Sequence, residues 1–321
     1  MDRRQIIVGA MGAAHRAHLQ FSVDTTDRVD VFSVLRSTQA DVFFRPMKSV
    51  CGAYVPSEGP LPAMLINSNM PLSRQRYTAA HELGHVYMQH RTVSLDREVG
   101  IIFEARTDLD DQEVAAEAFA AFFLMPKPLV MKSIRELHIQ PNELNPADAY
   151  LLALKMGTSY LATVNQIHTL KLISWSRAEK LRSVPPKLIK QDLNNAERIG
   201  RHDIWLIDEH WNGQNIFPAP EDTVRIALHE TPTSGYSWLW TEKPDGLTVL
   251  EDGYREGEEG IGGNRVREFV AQINSDAQPA VISLRRRREW EPEAKASPEF
   301  KVGVFPQQLR KTGPLVPPTL N

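Results

Sequence analysis

The chain has 321 residues, with 37 Lys and Arg against 40 Asp and Glu, a formal net charge of −3 and one cysteine. That length can hold two or three hydrophobic cores. The near-balanced, slightly acidic composition gives no global electrostatic case for nucleic acid, and no apolar run approaches the roughly 18 residues of a membrane span.

In chain order, residues 1–10 carry a short apolar patch. It is broken by His15, Arg16 and His18 and has no cleavage site, so no signal peptide is expected. A first helix is predicted over about 8–20, with strand-like pieces at 29–32, 41–44 and 63–66. Cys51 stands alone, which excludes an intramolecular disulfide and suits a reducing compartment; a catalytic thiol is its alternative role.

After Pro71-Leu72-Ser73, where Ser73 is placed to cap a helix, Tyr77, Ala79, Ala80, Leu83, Val86, Tyr87 and Met88 predict a helix buried on most sides. Within it reads His81-Glu82-Leu83-Gly84-His85. Residues four apart share a helix face, so both imidazoles can grip one metal ion. Zinc suits such a site because it takes nitrogen and oxygen ligands and keeps one position open for water. Glu82 is then the carboxylate that takes the water's proton, and the chemistry implied is peptide hydrolysis. Two surface histidines on an ordinary helix would also satisfy the pentapeptide, but burial makes that costly. A strand at 63–66 just before this helix would bring a sheet edge near the metal, where an extended substrate can add as a strand.

A third ligand is required. Residues 110–126 predict another helix, capped by Asp110 or Asp111 and stopped by Pro126, with Glu113 and Glu117 on one face. Acidic residues in a first turn also serve the helix dipole without binding anything.

The run from Asn67 to His85, followed by Glu113 and then by Phe119-Ala120-Ala121-Phe122-Phe123-Leu124-Met125-Pro126, resembles the ImmA/IrrE family of metallo-endopeptidases over about residues 1–180. The resemblance implies a gluzincin-type zinc domain with His81, His85 and Glu113 as ligands and Glu82 as general base. It also implies a cytoplasmic, stress-responsive enzyme whose substrate is a helix-turn-helix repressor. Family members commonly have asparagine where this chain has Glu117. That second carboxylate can ligate instead, so Glu113 and Glu117 both stand as candidates for the third ligand. Tyr54, Tyr87 and His90 are candidates to assist an oxyanion.

Residues 146–155 and 160–170 predict two helices joined by Gly157-Thr158-Ser159, the outline of a DNA-reading motif. The second helix has no Lys or Arg for phosphate contacts, so a helical subdomain completing the peptidase is expected and direct nucleic-acid binding is not. The basic stretch 177–190 reads as a solvated helix end and linker.

From about 220 the pattern becomes all-β. Strands are predicted at 223–228, 237–240, 247–250, 266–271, 280–284 and 300–304, separated by turn residues, which argues for a small sandwich. The loops carrying Thr231, Pro232, Thr233, Gly235 and Tyr236, then Gly262 and Gly263, then Arg288 and Trp290 resemble, in that order, the three loops of chagasin-type inhibitors over about 218–305. The resemblance implies an immunoglobulin-like sandwich whose loops fill the cleft of a papain-like cysteine peptidase. Thr231 and Glu289 depart from that family's usual asparagine and proline. The basic run 285–288 is expected to blunt a sheet edge.

The expected architecture is multidomain: an α+β zincin-like (gluzincin-type) metallopeptidase domain over 1–140, a helix-turn-helix-like helical subdomain over 141–190, a linker over 191–217, an all-β immunoglobulin-like (chagasin-like) sandwich over 218–305 and a disordered tail over 306–321. The expected function is a zinc endopeptidase acting on a protein such as a repressor, with a protein-binding sandwich. The alternative is a non-catalytic inhibitor of papain-like cysteine peptidases, or a partner-binding protein with a structural zinc.

Overall fold

The computed structural model describes residues 2–38, 40–56, 62–90, 94–96, 110–194, 200–230, 235–255, 265–288, 290, 298–308 and 312–315. The chain forms two compact units. The first comprises Met1–Arg135, Ile139–Val184 and Leu309–Asn321; the second comprises Glu136–His138 and Pro185–Gln308. Among the described residues no single helix is long and apolar enough to cross a membrane.

In chain order the elements are α1 (Arg3–Gln20), α2 (Val31–Ser37), β1 (Asp41–Arg45), β2 (Gly52–Val55), β3 (Ala63–Asn67), α3 (Leu72–Tyr87), β4 (Ser94–Asp96), α4 (Asp111–Leu124), α5 (Lys127–Glu136), α6 (Pro146–Met156), α7 (Tyr160–Thr169), α8 (Trp175–Arg182), α9 (Pro186–Asn194), β5 (Ile204–Ile207), β6 (Gln214–Ile216), β7 (Thr223–Glu230), β8 (Ser237–Glu242), β9 (Leu247–Tyr254), β10 (Arg265–Ile273), β11 (Ala280–Arg287), β12 (Glu299–Val304) and β13 (Gly313–Pro314).

The first unit stacks helices on a five-stranded sheet of order β13-β1-β3-β2-β4. Strand β1 runs parallel to β3, and β2 pairs antiparallel with both β3 and β4. Small residues set the helix packing: Ala10, Ala13, Ala14 and Ala17 of α1 are buried, as are Ala116 and Ala120 of α4. Gly84 of α3 lies against Phe119, where an added Cβ would stand 3.1 Å from the ring. The buried His18 stacks on Phe123 and bonds its carbonyl at 2.8 Å, and burial pushes its pKa down.

Several local expectations are corrected. Residues 31–37 are helix, not strand, because Asp30 caps the turn by accepting from the Ser33 N–H and hydroxyl. The cap of α3 is Pro71 rather than Ser73, and no side chain bonds there. The 177–190 stretch is helical, lying across α8 and α9, in which Ala178, Leu181 and Ile189 are buried, and the boundary between the two units falls within it. Part of the 306–321 tail is ordered, with β13 pairing antiparallel to Phe43 and Phe44.

Helices α6 and α7 meet at Gly157, whose left-handed φ of 70° ends α6 and whose missing Cβ leaves room for the Arg28 guanidinium. Ser159 then caps α7. Rather than standing free, α7 is packed on the end of α4: Gln166 donates to the Met125 carbonyl at 3.1 Å, and Thr163, Val164 and Ile167 are buried. Arg76 of α3, also buried, donates to the Gly157 carbonyl at 3.0 Å and to the Val29 carbonyl at 2.7 Å. One guanidinium thus ties the motif-bearing helix to two other segments.

The second unit packs a sheet of order β5-β7-β10-β9 on a sheet of order β6-β12-β11-β8. Trp240 meets Phe269 edge-on at 5.3 Å, and Ile226, Leu228, Ile282, Leu284, Phe300 and Val302 fill the interior. The 191–217 linker is also corrected. Buried Trp205 and Ile207 make β5 an added strand parallel to β7, and β6 adds parallel to β12. Nor does the 285–288 run blunt an edge, since β11 lies between β12 and β8 and Arg285 is paired with Glu299 across the strands.

Candidate metal centre and recognition loops

The helical spacing of the pentapeptide puts both histidines on one face of α3, and α4 crosses behind with Glu113 in its first turn. His81 Nε2 and His85 Nε2 are 3.1 Å apart. Glu113 Oε2 is 3.3 Å from His81 Nε2, and its Oε1 is 3.6 Å from His85 Nε2. His81, His85 and Glu113 are the metal-competent group of three found among the described residues, with ligand atoms all within 4.8 Å. Ligand atoms held about 2.0–2.1 Å from a tetrahedral zinc lie roughly 3.3–3.4 Å from one another. The three observed separations bracket that edge, so donor type and spacing both fit zinc.

Electrostatics agree with a neutral imidazole at His85. Burial, then His81, lowers the His85 pKa to about 3 against the opposing pull of Glu113. Burial likewise lowers that of His90. Neutral imidazole is the form that binds metal.

Glu113 and Glu117 take different places. Glu117 Oε2 is 3.5 Å from His81 Nδ1, the nitrogen turned away from Glu113, and Glu117 Oε1 accepts from the Tyr77 hydroxyl at 3.1 Å. A carboxylate behind the distal nitrogen of a metal-binding histidine holds that ring's tautomer and orientation.

Glu82 is fully buried beside this face. Its neighbour Gly52, at the start of β2, is a residue the sequence reading missed: a Cβ there would stand 2.5 Å from Glu82 Oε1 and 2.3 Å from the Thr78 methyl. Asn67 at the end of β3, also missed, fixes that approach. Its Oδ1 accepts from Met47 and Asn69 N–H, and its Nδ2 donates to the Met47 and Val50 carbonyls. A buried amide with all four bonds made holds the loop that delivers Gly52. An Asn next to a strand end and an isolated Gly were the only sequence signals for this.

The three oxyanion candidates all have partners. The Tyr54 hydroxyl donates to the His90 carbonyl at 3.1 Å, and its ring stacks on His85. Burial, with Glu82 nearby, raises the Tyr54 pKa. Tyr87 packs between Phe21 and Phe119. His90 Nδ1 is 2.8 Å from His85 Nδ1. Cys51 is buried and in no disulfide.

In the sandwich, Thr231, Pro232, Thr233, Gly262 and Gly263 lie outside the described residues, as does Glu289. The remaining loop residues form one cluster. Arg288 lies over the rings of Tyr236 at 4.6 Å and Trp290 at 5.9 Å. Gly235, at φ 71°, fits beneath Trp290, where a Cβ would meet the ring at 3.0 Å. Trp290 itself is 73% exposed, so it is not a core residue. Buried Glu230 braces the base of this loop by accepting from the Trp238 N–H and the Tyr254 hydroxyl.

Fold and site thus define a multidomain chain: a helical and β N-terminal region with a metallopeptidase-type domain, then a chagasin-like β-sandwich. Residues 36–143 match the Peptidase M78 family, described as an IrrE N-terminal-like domain, and residues 219–304 match the chagasin family of peptidase inhibitors, I42. Among solved structures, the cysteine protease inhibitor EhICP2 from Entamoeba histolytica is 18% identical, over 34% of this chain and 100% of that one, with a TM-score of 0.31. Amebosin is 28% identical over 34% and 100%, with a TM-score of 0.28. PbICP-C, solved in complex with falcipain-2, is 14% identical over 34% and 95%, with a TM-score of 0.22. No curated protein gives a significant match.

Proposed function

We propose that the first unit is a zinc endopeptidase in which His81, His85 and Glu113 hold the metal and Glu82 is the general base. The observation that carries this reading is the convergence of two buried imidazole nitrogens and one half-buried carboxylate beside a fully buried second carboxylate. Zinc, when bound, supplies a Lewis acid and brings the pKa of water to about 7. Glu82 then takes the proton of the attacking water on its carboxylate and returns it to the leaving amine. Its burial excludes competing water, and Gly52 leaves the space that its carboxylate occupies. The family match over 36–143 supports the class of chemistry. The substrate class proposed with it is a helix-turn-helix repressor or similar regulator, cleaved in the cytoplasm under stress.

The test is the zinc-loaded full chain against a fluorogenic peptide library, beside Glu82→Gln. Cleavage by the wild type, lost in the variant while zinc is retained, is the expected result. Equal cleavage by both contradicts the assignment of Glu82.

A second reading is favoured by the Arg288, Tyr236 and Trp290 cluster together with the chagasin-family match. The sandwich would bind a papain-like cysteine peptidase, either as inhibitor or as a recruitment module for the first unit. Titration of the full chain against papain tests it. Inhibition weakened by Trp290→Ala supports the reading; no inhibition by the wild type excludes it for that enzyme class.

A further inference from the structure

Helix α3 ends in an arrangement that its sequence does not advertise. Met88 is its cap, and Gln89 is left-handed at φ 57°. The Gln89 N–H donates to the Val86 carbonyl at 3.1 Å, and the His90 N–H donates to the His85 carbonyl at 3.0 Å. Those two bonds define a Schellman ending, which folds the second residue past the cap back against the third-last residue of the helix. That contact is usually apolar. Here it joins His90 to His85, with ring centroids 4.8 Å apart and Nδ1 atoms 2.8 Å apart.

Chemistry assigns the direction of that bond. If His85 binds metal through Nε2, the nitrogen facing His81 and Glu113, its proton resides on Nδ1. His85 is then the donor and His90 Nδ1 the acceptor. His90 is held for this by its own backbone: its N–H is fixed by the turn, and its carbonyl accepts from Tyr54, whose ring lies flat on His85 at 5.5 Å and 14°.

We propose that His90 is a positioning residue of the metal centre, accepting from His85 Nδ1–H and so fixing that ligand's tautomer and ring plane. This rests on the reading of His81, His85 and Glu113 as the metal centre. The two histidine ligands are then supported differently, His81 by the Glu117 carboxylate and His85 by a neutral imidazole supplied from the helix's own terminus.

The experiment is a zinc affinity measurement on the full chain by chelator competition, with the cobalt absorption spectrum as a second readout. The variants are His90→Phe, His90→Asn and His81→Ala. Phenylalanine keeps a flat ring but cannot accept; asparagine keeps an acceptor close to the Nδ1 position but loses the ring. His90→Phe is expected to weaken zinc binding about 10–100-fold and to alter the cobalt spectrum. His90→Asn is expected to bind within about threefold of wild type. If His90→Phe binds as wild type does, or if His90→Asn is as weak as His90→Phe, the positioning role is overturned. His81→Ala reads the underlying centre separately. Zinc retained at wild-type affinity in that variant removes the metal centre and the proposal together, whereas zinc lost there but kept in His90→Phe removes the proposal alone.

Discussion

Gly52 and Glu82 meet where strand β2 passes helix α3, so closely that a methyl group on Gly52 would lie 2.5 Å from the Glu82 carboxylate. Gly52 is the first paired residue of β2, opposite Ile66 and Asp96, and in the proposed enzyme it shapes the place of the general base although it carries no chemistry of its own. Gly52→Ala is expected to displace Glu82 or Thr78. Misplacement of a reacting group by about 1 Å costs on the order of 100-fold in rate, and overpacking costs about 1–3 kcal/mol of stability. The expected outcome is a fall of about one to two orders of magnitude in kcat, with zinc content unchanged. Peptide-cleavage kinetics beside metal analysis check it, and a variant of wild-type kcat contradicts it.

The left-handed Gln89 suggests a stabilising change at the end of α3. Glycine adopts that conformation without the penalty a side chain incurs. Gln89→Gly should raise the stability of the first unit by about 0.5–1 kcal/mol and leave zinc affinity unaltered, because the turn that presents His90 is kept. Urea unfolding followed by circular dichroism measures this; a loss of stability would mean that the turn is not formed in solution.

What the sequence revealed about this site follows from the range of the interactions. The spacing of His81 and His85 is written in one helical turn, and Glu113 is legible because a motif of known order accompanies it. Gly52, Asn67 and His90 act through contacts that a linear pattern does not carry. A short apolar run at 29–32 reads as strand, yet the Asp30 cap on Ser33 makes it the start of a helix. Residues 204–207 and 214–216 hide between polar and glycine residues, and only pairing with β7 and β12 makes them strands. Strand order is likewise non-local, which is why the arginine run of β11 turned out to be central.

The sandwich carries a pH dependence of its own. Burial, reinforced by nearby Asp203, raises the Asp222 pKa to about 7, against the N–H groups of Ala219, Asp203 and Trp205 that donate to it. The folded state therefore holds a proton that the unfolded state releases near pH 4. The contribution of this group is fully present below about pH 4 and is lost as pH rises through about 7. A raise of this size corresponds to about 4 kcal/mol as an upper figure. Compared with Asp222→Asn, the wild-type sandwich should lose about a few kcal/mol of stability between about pH 4 and pH 8. Parallel stability curves for the two proteins would refute it.

Trp290 is exposed, so its truncation should be nearly neutral for folding, within about 0.5 kcal/mol. If the loop cluster is a binding anchor, Trp290→Ala should weaken binding to a papain-like peptidase by about 30-fold or more, and Arg288→Ala should weaken it less. Inhibition titrations with thermal melts of each variant separate the two effects. Unchanged inhibition with unchanged melting would remove Trp290 from the interface.

The central claim is a three-ligand zinc centre, and metal content tests it most directly. The purified full chain, after zinc is added and excess removed, is measured by mass spectrometry beside Glu113→Gln and Glu117→Gln. The account predicts about one zinc per chain, lost in Glu113→Gln and largely retained, with weaker affinity, in Glu117→Gln. Zinc lost with Glu117→Gln but kept with Glu113→Gln would contradict the ligand set, and no zinc in the wild type would contradict the centre itself.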